Sequence, residues 1–210
     1  MTDTDTATTP MLRFRLAGAW HPVLWNELSS SELIAEFVTS VVGTRDIDAT
    51  VRARMRRDLA EAIATAKEGH AQAMFIATEI RPGLPMPVTL TIYSPPDLRM
   101  SPALGTAPDE VIDVLQKSFA ESGQPHHETA RRLSIDGSEI LRLHHVDHQM
   151  LPEQPEAHAV TLTADYWYTV PASKQVMVAT FSTPLGDIAN IMLSFFDGLV
   201  AASSWDDAAA

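Results

Sequence analysis

Residues 126–148 read HHETARRLSIDGSEILRLHHVDH, and the dipeptide at their centre decides the fold. Asp136-Gly137 is a strong short-range signal for a β-hairpin, because a type I′ turn needs positive φ at both central residues. The stretch predicts two antiparallel strands, 126–135 and 138–148, with Ile135 facing Ser138 across a two-residue turn. Two more strands are expected downstream, at 159–170 and 174–182, in meander order.

Upstream, Leu12, Phe14 and Leu16 alternate with Arg13 and Arg15 as in a half-buried strand over 12–20. Trp20 and Trp25 bracket His21-Pro22 and anchor the turn that follows. Ser29 and Glu32 then form a capping box ahead of a helical stripe of Leu33, Ile34, Phe37, Val38 and Val41, ended by Gly43. From about residue 48, Val51, Met55, Leu59, Ile63 and Ala66 recur at helical spacing as far as Gly69. Strands at 72–80 and 87–93 flank the turn residues 81–85. A Pro-rich loop over 94–105 leads to a helix capped by Thr106 and Asp109, with Val111, Ile112, Leu115 and Phe119 on its buried side and Gly123 as its stop. The last helix, from Pro184 to Ser203, takes Thr183 as cap and Pro184 at its first position, and lines one face with Ile188, Met192, Phe195 and Leu199.

Strands in meander order, interrupted by helices rather than alternating with them, predict an α+β fold. The expected form is an antiparallel sheet of six or seven strands with helices on its faces, an α/β/α sandwich. It occupies residues 11–205 as one domain, between tails 1–10 and 206–210 that have the composition of disorder.

Composition bounds the function. The chain has 210 residues, a formal net charge of −12 and no cysteine. That charge repels phosphate backbones, and the arginines at 45, 52, 54, 56 and 57 are spread around a helix and offset by Asp46 and Asp48, so no nucleic-acid partner is expected. Without cysteine there is no disulfide, thiolate nucleophile or Cys-ligated metal. No apolar run approaches a membrane span and the first residues are no signal peptide, so a cytoplasmic protein without membrane contact is expected. No phosphate-binding glycine loop and no G-x-S-x-G elbow occurs, and Ser182-Thr183 reads as a helix cap rather than a nucleophile. The zincin-like His127-Glu128 lacks its second histidine, since Arg131 stands there.

Histidine is the uneven feature, with five of eight between positions 126 and 148. The string 144–148 cannot converge on one ion by itself, because His144 and His148 share a strand face about 13 Å apart while His145 and Asp147 point the other way. Hairpin pairing changes this. It sets Glu128 opposite His145 and His126 opposite Asp147, giving two imidazoles and two carboxylates on one face, a ligand set for a divalent metal. The alternative is a pair of cross-strand His–carboxylate contacts with no metal, and a one-residue register slip would dissolve the group. Trp167, between Tyr166 and Tyr168, is either a partner-contact residue or packed beneath a helix.

The segment 178–184, VATFSTP, followed by a helix with Phe195, Phe196 and Asp197 and then by Trp205, resembles the end of PsbP-like domains. The order of elements is similar as well. The resemblance implies an antiparallel sheet with helices on both faces and places the chain as a small bacterial member of that superfamily. It takes in the photosystem II extrinsic protein and a Ran-binding nuclear transport factor, and its characterised members mostly bind other proteins. The leading expectation is a non-enzymatic adaptor or accessory module, with no cofactor and another protein as partner. One alternative is a divalent-metal protein or metal-dependent enzyme using His126, Glu128, His145 and Asp147. Another is a small-ligand-binding domain whose pocket is lined by some of the nine methionines and four tryptophans.

Overall fold

The computed structural model describes residues 11–23, 30–81, 84–94, 105–135, 137–151 and 154–206. The tails 1–10 and 207–210, Ser29, Trp25, the turn at 82–83, most of the Pro-rich loop and Asp136 lie outside the described residues. The elements run β1 (Leu12–Arg13), β2 (Ala19–Pro22), α1 (Ser30–Val42), α2 (Ala49–Glu68), β3 (Ala71–Arg81), β4 (Leu84–Tyr93) and α3 (Pro108–Ser122). They continue with β5 (Arg131–Ile135), β6 (Ser138–Leu151), β7 (Gln154–Thr169), β8 (Val176–Thr183), α4 (Ala189–Ala201) and β9 (Ser204–Trp205). Seven strands form one antiparallel sheet in the order β2-β3-β4-β8-β7-β6-β5, and β1 pairs with β9. This is the α+β architecture with helices packed on the sheet.

The hairpin register holds: Ile135 faces Ser138, and Gly137 has φ +76°. The strand before it is shorter than expected. Residues 127–129 form a 3-10 turn, so β5 begins only at Arg131. Thr129 explains the stop, because its hydroxyl donates to the His144 carbonyl at 3.0 Å and accepts the His144 amide at 2.9 Å. Those are the two backbone groups that a continuing β5 would have paired.

Strand parity divides the sheet into two faces. On one, Leu90, Ile140, Leu162, Tyr166, Tyr168, Phe181 and the α4 residues Met192, Phe196 and Leu199 make the main core. Phe181 and Phe196 stack at 4.7 Å. The opposite face is covered in two separate places. Ile34, Phe37 and Val38 of α1 and Leu59 and Ile63 of α2 pack on Met74 and Ile76 of β3. At the other end, Val111, Ile112 and Leu115 of α3 pack on Leu141 and Leu143 of β6.

Several boundaries differ from the sequence reading for local reasons. The strand expected over 12–20 splits, since its start pairs with β9 and its end with β3. Asp206, expected in a loose tail, is fixed by its amide bond to the Met11 carbonyl at 2.9 Å and by an ion pair with Arg13. α3 starts from Ala107, with Pro108 in its first turn, and Thr106 makes no cap bond. Thr183 accepts the Leu185 amide at 3.3 Å, but a 3-10 turn at Gly186–Ile188 precedes α4. That turn rotates Ile188 outward to 43% exposure and gives the buried stripe to Met192, Leu193, Phe196, Leu199 and Val200. Gly186 lets the turn press onto β7: a Cβ there would sit 2.6 Å from the Val160 side chain and 2.8 Å from its carbonyl oxygen. Among the described residues, no helix is long and apolar enough to cross a membrane.

Candidate functional site

Between the two helical covers, β4, β8 and β7 line up a strip of polar residues, half-buried except for the buried Thr91. The register lines them up in rows across the sheet. Thr89 faces Ser182, Ser182 faces Thr163, and Thr163 faces His145. In the next row Thr91 faces Thr180, which faces Asp165. One row further, Tyr93 lies opposite Val178 and Val178 opposite Trp167. Among the described residues, the strip is the floor of a trough along the strands, between α2, which packs on β3, and α3, which packs on β6.

Asp165 is its chemical centre. The Thr180 hydroxyl donates to its Oδ1 at 2.7 Å. Burial pushes the Asp165 carboxyl above the usual range, while the Thr180 bond and the His145 and His126 imidazoles pull the other way. Tyr93 leans into the same space: burial raises its hydroxyl, Thr91 hydrogen-bonds to it, and the Asp165 carboxylate raises it further.

At one end of the trough, the floor runs into a cleft of about 450 Å³ beneath α2. Val51, Met55 and Leu59 of α2 form its roof, Ile76 and Pro87 one wall, and Thr161, Ser182 and Pro184 the base. Apolar surface dominates this cleft, in contrast with the hydroxyl-lined floor beside Asp165.

The residues expected to form a metal centre are partly brought together. His126 and His145 stack with ring centroids 4.4 Å apart and planes 13° from parallel. His145 Nε2 lies 3.2 Å from Asp147 Oδ2. Glu128 does not face His145. It is exposed in the 3-10 turn, 3.7 Å from the Nδ1 of His127, because residues 126–130 coil where the sequence predicted extension. His126 itself has φ +64°, and its ring reaches His145 rather than Asp147. Among the described residues, no group of three or more histidines and acids is placed to hold a metal ion. Parallel rings also present their nitrogens side by side, whereas tetrahedral ligation needs lone pairs converging at about 2.0–2.1 Å from one ion.

Trp167 packs edge-on against Phe119 of α3 at 4.9 Å, and its indole Nε1 is buried without a hydrogen bond among the described residues. It forms the foot of the α3 wall. His144 lies on the other sheet face, where burial first and the Arg142 guanidinium second push its imidazole below the usual range. The arginines of α2 are engaged locally: Arg52 donates to the carbonyls of Gly43 and Arg45, and Arg54 pairs with Asp58 at 3.7 Å.

The sequence reading gave no functional role to Asp165, Thr180 or Tyr93. The available signal was parity: Thr89 and Thr91, Thr161, Thr163 and Asp165, and Thr180 and Ser182 all fall on one face of central strands, where a sandwich covered on both sides would place apolar residues. Scans against protein-family models, curated proteins and solved structures return no match.

Proposed function

We propose that the chain is a non-enzymatic interaction module, working in the cytoplasm, that takes a partner protein into the trough between α2 and α3. The observation that carries the reading is the union, on one sheet face, of the hydroxyl-lined floor around Asp165 with the apolar cleft under α2. A recognition surface needs an apolar anchor point and a few polar groups that fix orientation, and the trough offers both within one continuous strip. The PsbP-like resemblance supports the same reading, since that superfamily is rich in protein-binding members. The formal charge of −12 favours a protein partner over a nucleic acid.

A photocrosslinking residue placed at Thr161, on the cleft base, tests the proposal in cells. The expected result is a discrete protein adduct that disappears when Val51→Asp is added at the cleft mouth and persists with Ile191→Asp on the outer side of α4. Val51 and Ile191 are 55% and 66% exposed, so neither change touches the core. An adduct indifferent to Val51→Asp, or none at all, overturns the proposal. The cleft volume also falls in the range of small-molecule sites, about 300–1,000 Å³. A tightly held small molecule released on denaturation, in place of a protein adduct, would favour that second reading.

A further inference from the structure

We infer that the trough recognises an extended polypeptide segment that carries a lysine or arginine over Asp165 and, about four residues away, an apolar side chain in the cleft beneath α2. The inference rests on the trough being the binding surface and names what it binds.

Charge is the first argument. Asp165 is the acidic residue of the central floor, and its Oδ1 is held toward β8 by Thr180. The positions that face it across the sheet are Thr180 on β8 and Leu143 on β6, with Thr91 beyond Thr180 on β4. The His145 and His126 imidazoles lie near enough to favour the carboxylate, and no lysine or arginine faces it across the sheet. Arg142, the nearest arginine along β6, has opposite parity and is bound to Asp197 of α4 on the other face. Arg132 is occupied by Asp113 and Gln116 of α3. A half-buried carboxylate that, among the described residues, no lysine or arginine faces across the sheet is a place where an incoming ammonium or guanidinium gains a charge-assisted bond in a setting drier than water.

The aromatic neighbours point the same way. Tyr93 and Trp167 stand in the row beside Asp165, one on each side of Val178. Aromatic faces next to a carboxylate suit a cation on an aliphatic stem, because the stem packs on the rings while the head reaches the acid. The chain's net charge of −12 adds long-range attraction for a basic partner.

Spacing supplies the second recognition point. Thr161 lines the apolar cleft and lies four residues from Asp165 on β7. Four residues of strand span about 13 Å. An extended segment lying along β7 has the same rise, so a basic residue above Asp165 places the residue four positions away at the cleft. The walls favour this orientation, because among the described residues α2 packs on β3 and α3 on β6, to either side of the floor strands.

The test is selection of randomised ten-residue peptides, displayed on phage, against the full chain. The expected result is enrichment of lysine or arginine together with an apolar residue near the four-residue spacing. Asp165→Asn should weaken the selected peptide about tenfold or more, the loss of one hydrogen bond to a charged group, and should erase the basic preference on reselection. Val51→Asp should erase the apolar preference and keep the basic one. Melting temperatures check that both variants are folded, and Thr180→Val, which keeps the carboxylate but frees it to rotate, provides an independent partial loss. Selected peptides without basic residues, or equal affinity for wild type and Asp165→Asn, overturn the inference while leaving the trough as the binding surface. Peptides insensitive to both Asp165→Asn and Val51→Asp overturn the inference and the proposed function together. Saturable binding of octylammonium with no selected peptide assigns the same chemistry to a small amphiphile and overturns the polypeptide.

Discussion

The hydroxyl of Thr180 donates to Oδ1 of Asp165 at 2.7 Å, across the β7–β8 pair and on the stretch of sheet between α2 and α3. Burial raises the Asp165 carboxyl and this bond opposes the rise. Thr180→Val should therefore move the carboxyl further up, a change read directly by ¹³C NMR titration of the Asp165 side chain. An unchanged titration would mean that the bond does not hold the carboxylate.

The same shift has a consequence for stability. A carboxyl whose folded pKa lies above its unfolded value binds its proton more tightly in the folded state, so its contribution is favourable at low pH and is lost as pH rises through the folded pKa. Asp165→Asn removes that loss. The variant should match wild type near pH 3, below the ordinary carboxyl range of about 3.9, and gain on it toward neutral pH in urea titrations run at several pH values. A variant less stable than wild type at neutral pH would show that the ionised carboxylate supports the fold.

How much of this was readable beforehand depended on whether a feature was local. Asp136-Gly137 set the register of β5 and β6 because turn chemistry acts over two residues, and the helical stripes of α2 and α3 set their own buried faces. The Thr129 hydroxyl that ends β5, and the coil that lifts Glu128 away from His145, depend on contacts with His144 fifteen residues away. No periodicity in 126–135 marks them. The trough was hidden for a different reason. Its polar residues are scattered over β4, β7 and β8, and only the strand order β4-β8-β7, with its crossover, brings Thr91, Thr180 and Asp165 into one row.

Gly186 makes a steric prediction. A methyl at this position meets the Val160 side chain at 2.6 Å and its carbonyl oxygen at 2.8 Å. Gly186→Ala should cost about 1–3 kcal/mol through forced displacement of the turn before α4, measured by urea unfolding. Adding Val160→Ala should restore only part of the loss, because the carbonyl remains. Full recovery would locate the clash in the side chain alone.

The stacked imidazoles make a prediction about metal. His126 and His145 lie parallel at 4.4 Å, with Asp147 3.2 Å from His145 and Glu128 turned to His127. Ligation would require the rings to leave their stack and converge. Zinc, manganese or nickel added to chelator-treated protein should give no saturable rise in melting temperature that His126→Ala and His145→Ala abolish. Such a rise, lost in both variants, would establish a metal centre and show that the stack opens to form it.

A buried charge clamp joins α4 to the sheet and makes the largest mutational prediction. Asp197 accepts Arg142 at 2.7 Å on Oδ2 and the Tyr166 hydroxyl at 2.8 Å on Oδ1, with Arg131 at 3.3 Å from outside. Arg142 and Asp197 are 8% and 17% exposed, while Arg131 is 60% exposed. Asp197→Leu leaves the Arg142 guanidinium buried without its counter-charge and should cost about 3–5 kcal/mol. Tyr166→Phe loses one hydrogen bond and should cost about 0.5–1.5 kcal/mol. Arg131→Ala, on the exposed side, should cost about 1 kcal/mol or less. The decisive variant replaces all three buried partners, Arg142→Met with Tyr166→Phe and Asp197→Leu. Because the cost of the single change is mainly that of stranding a charge, the triple variant should recover most of the stability lost by Asp197→Leu, and urea unfolding measures both. If the triple variant is as unstable as Asp197→Leu alone, the clamp contributes attraction beyond its own desolvation, and α4 is held to the sheet by charge more than by the Phe181–Phe196 stack.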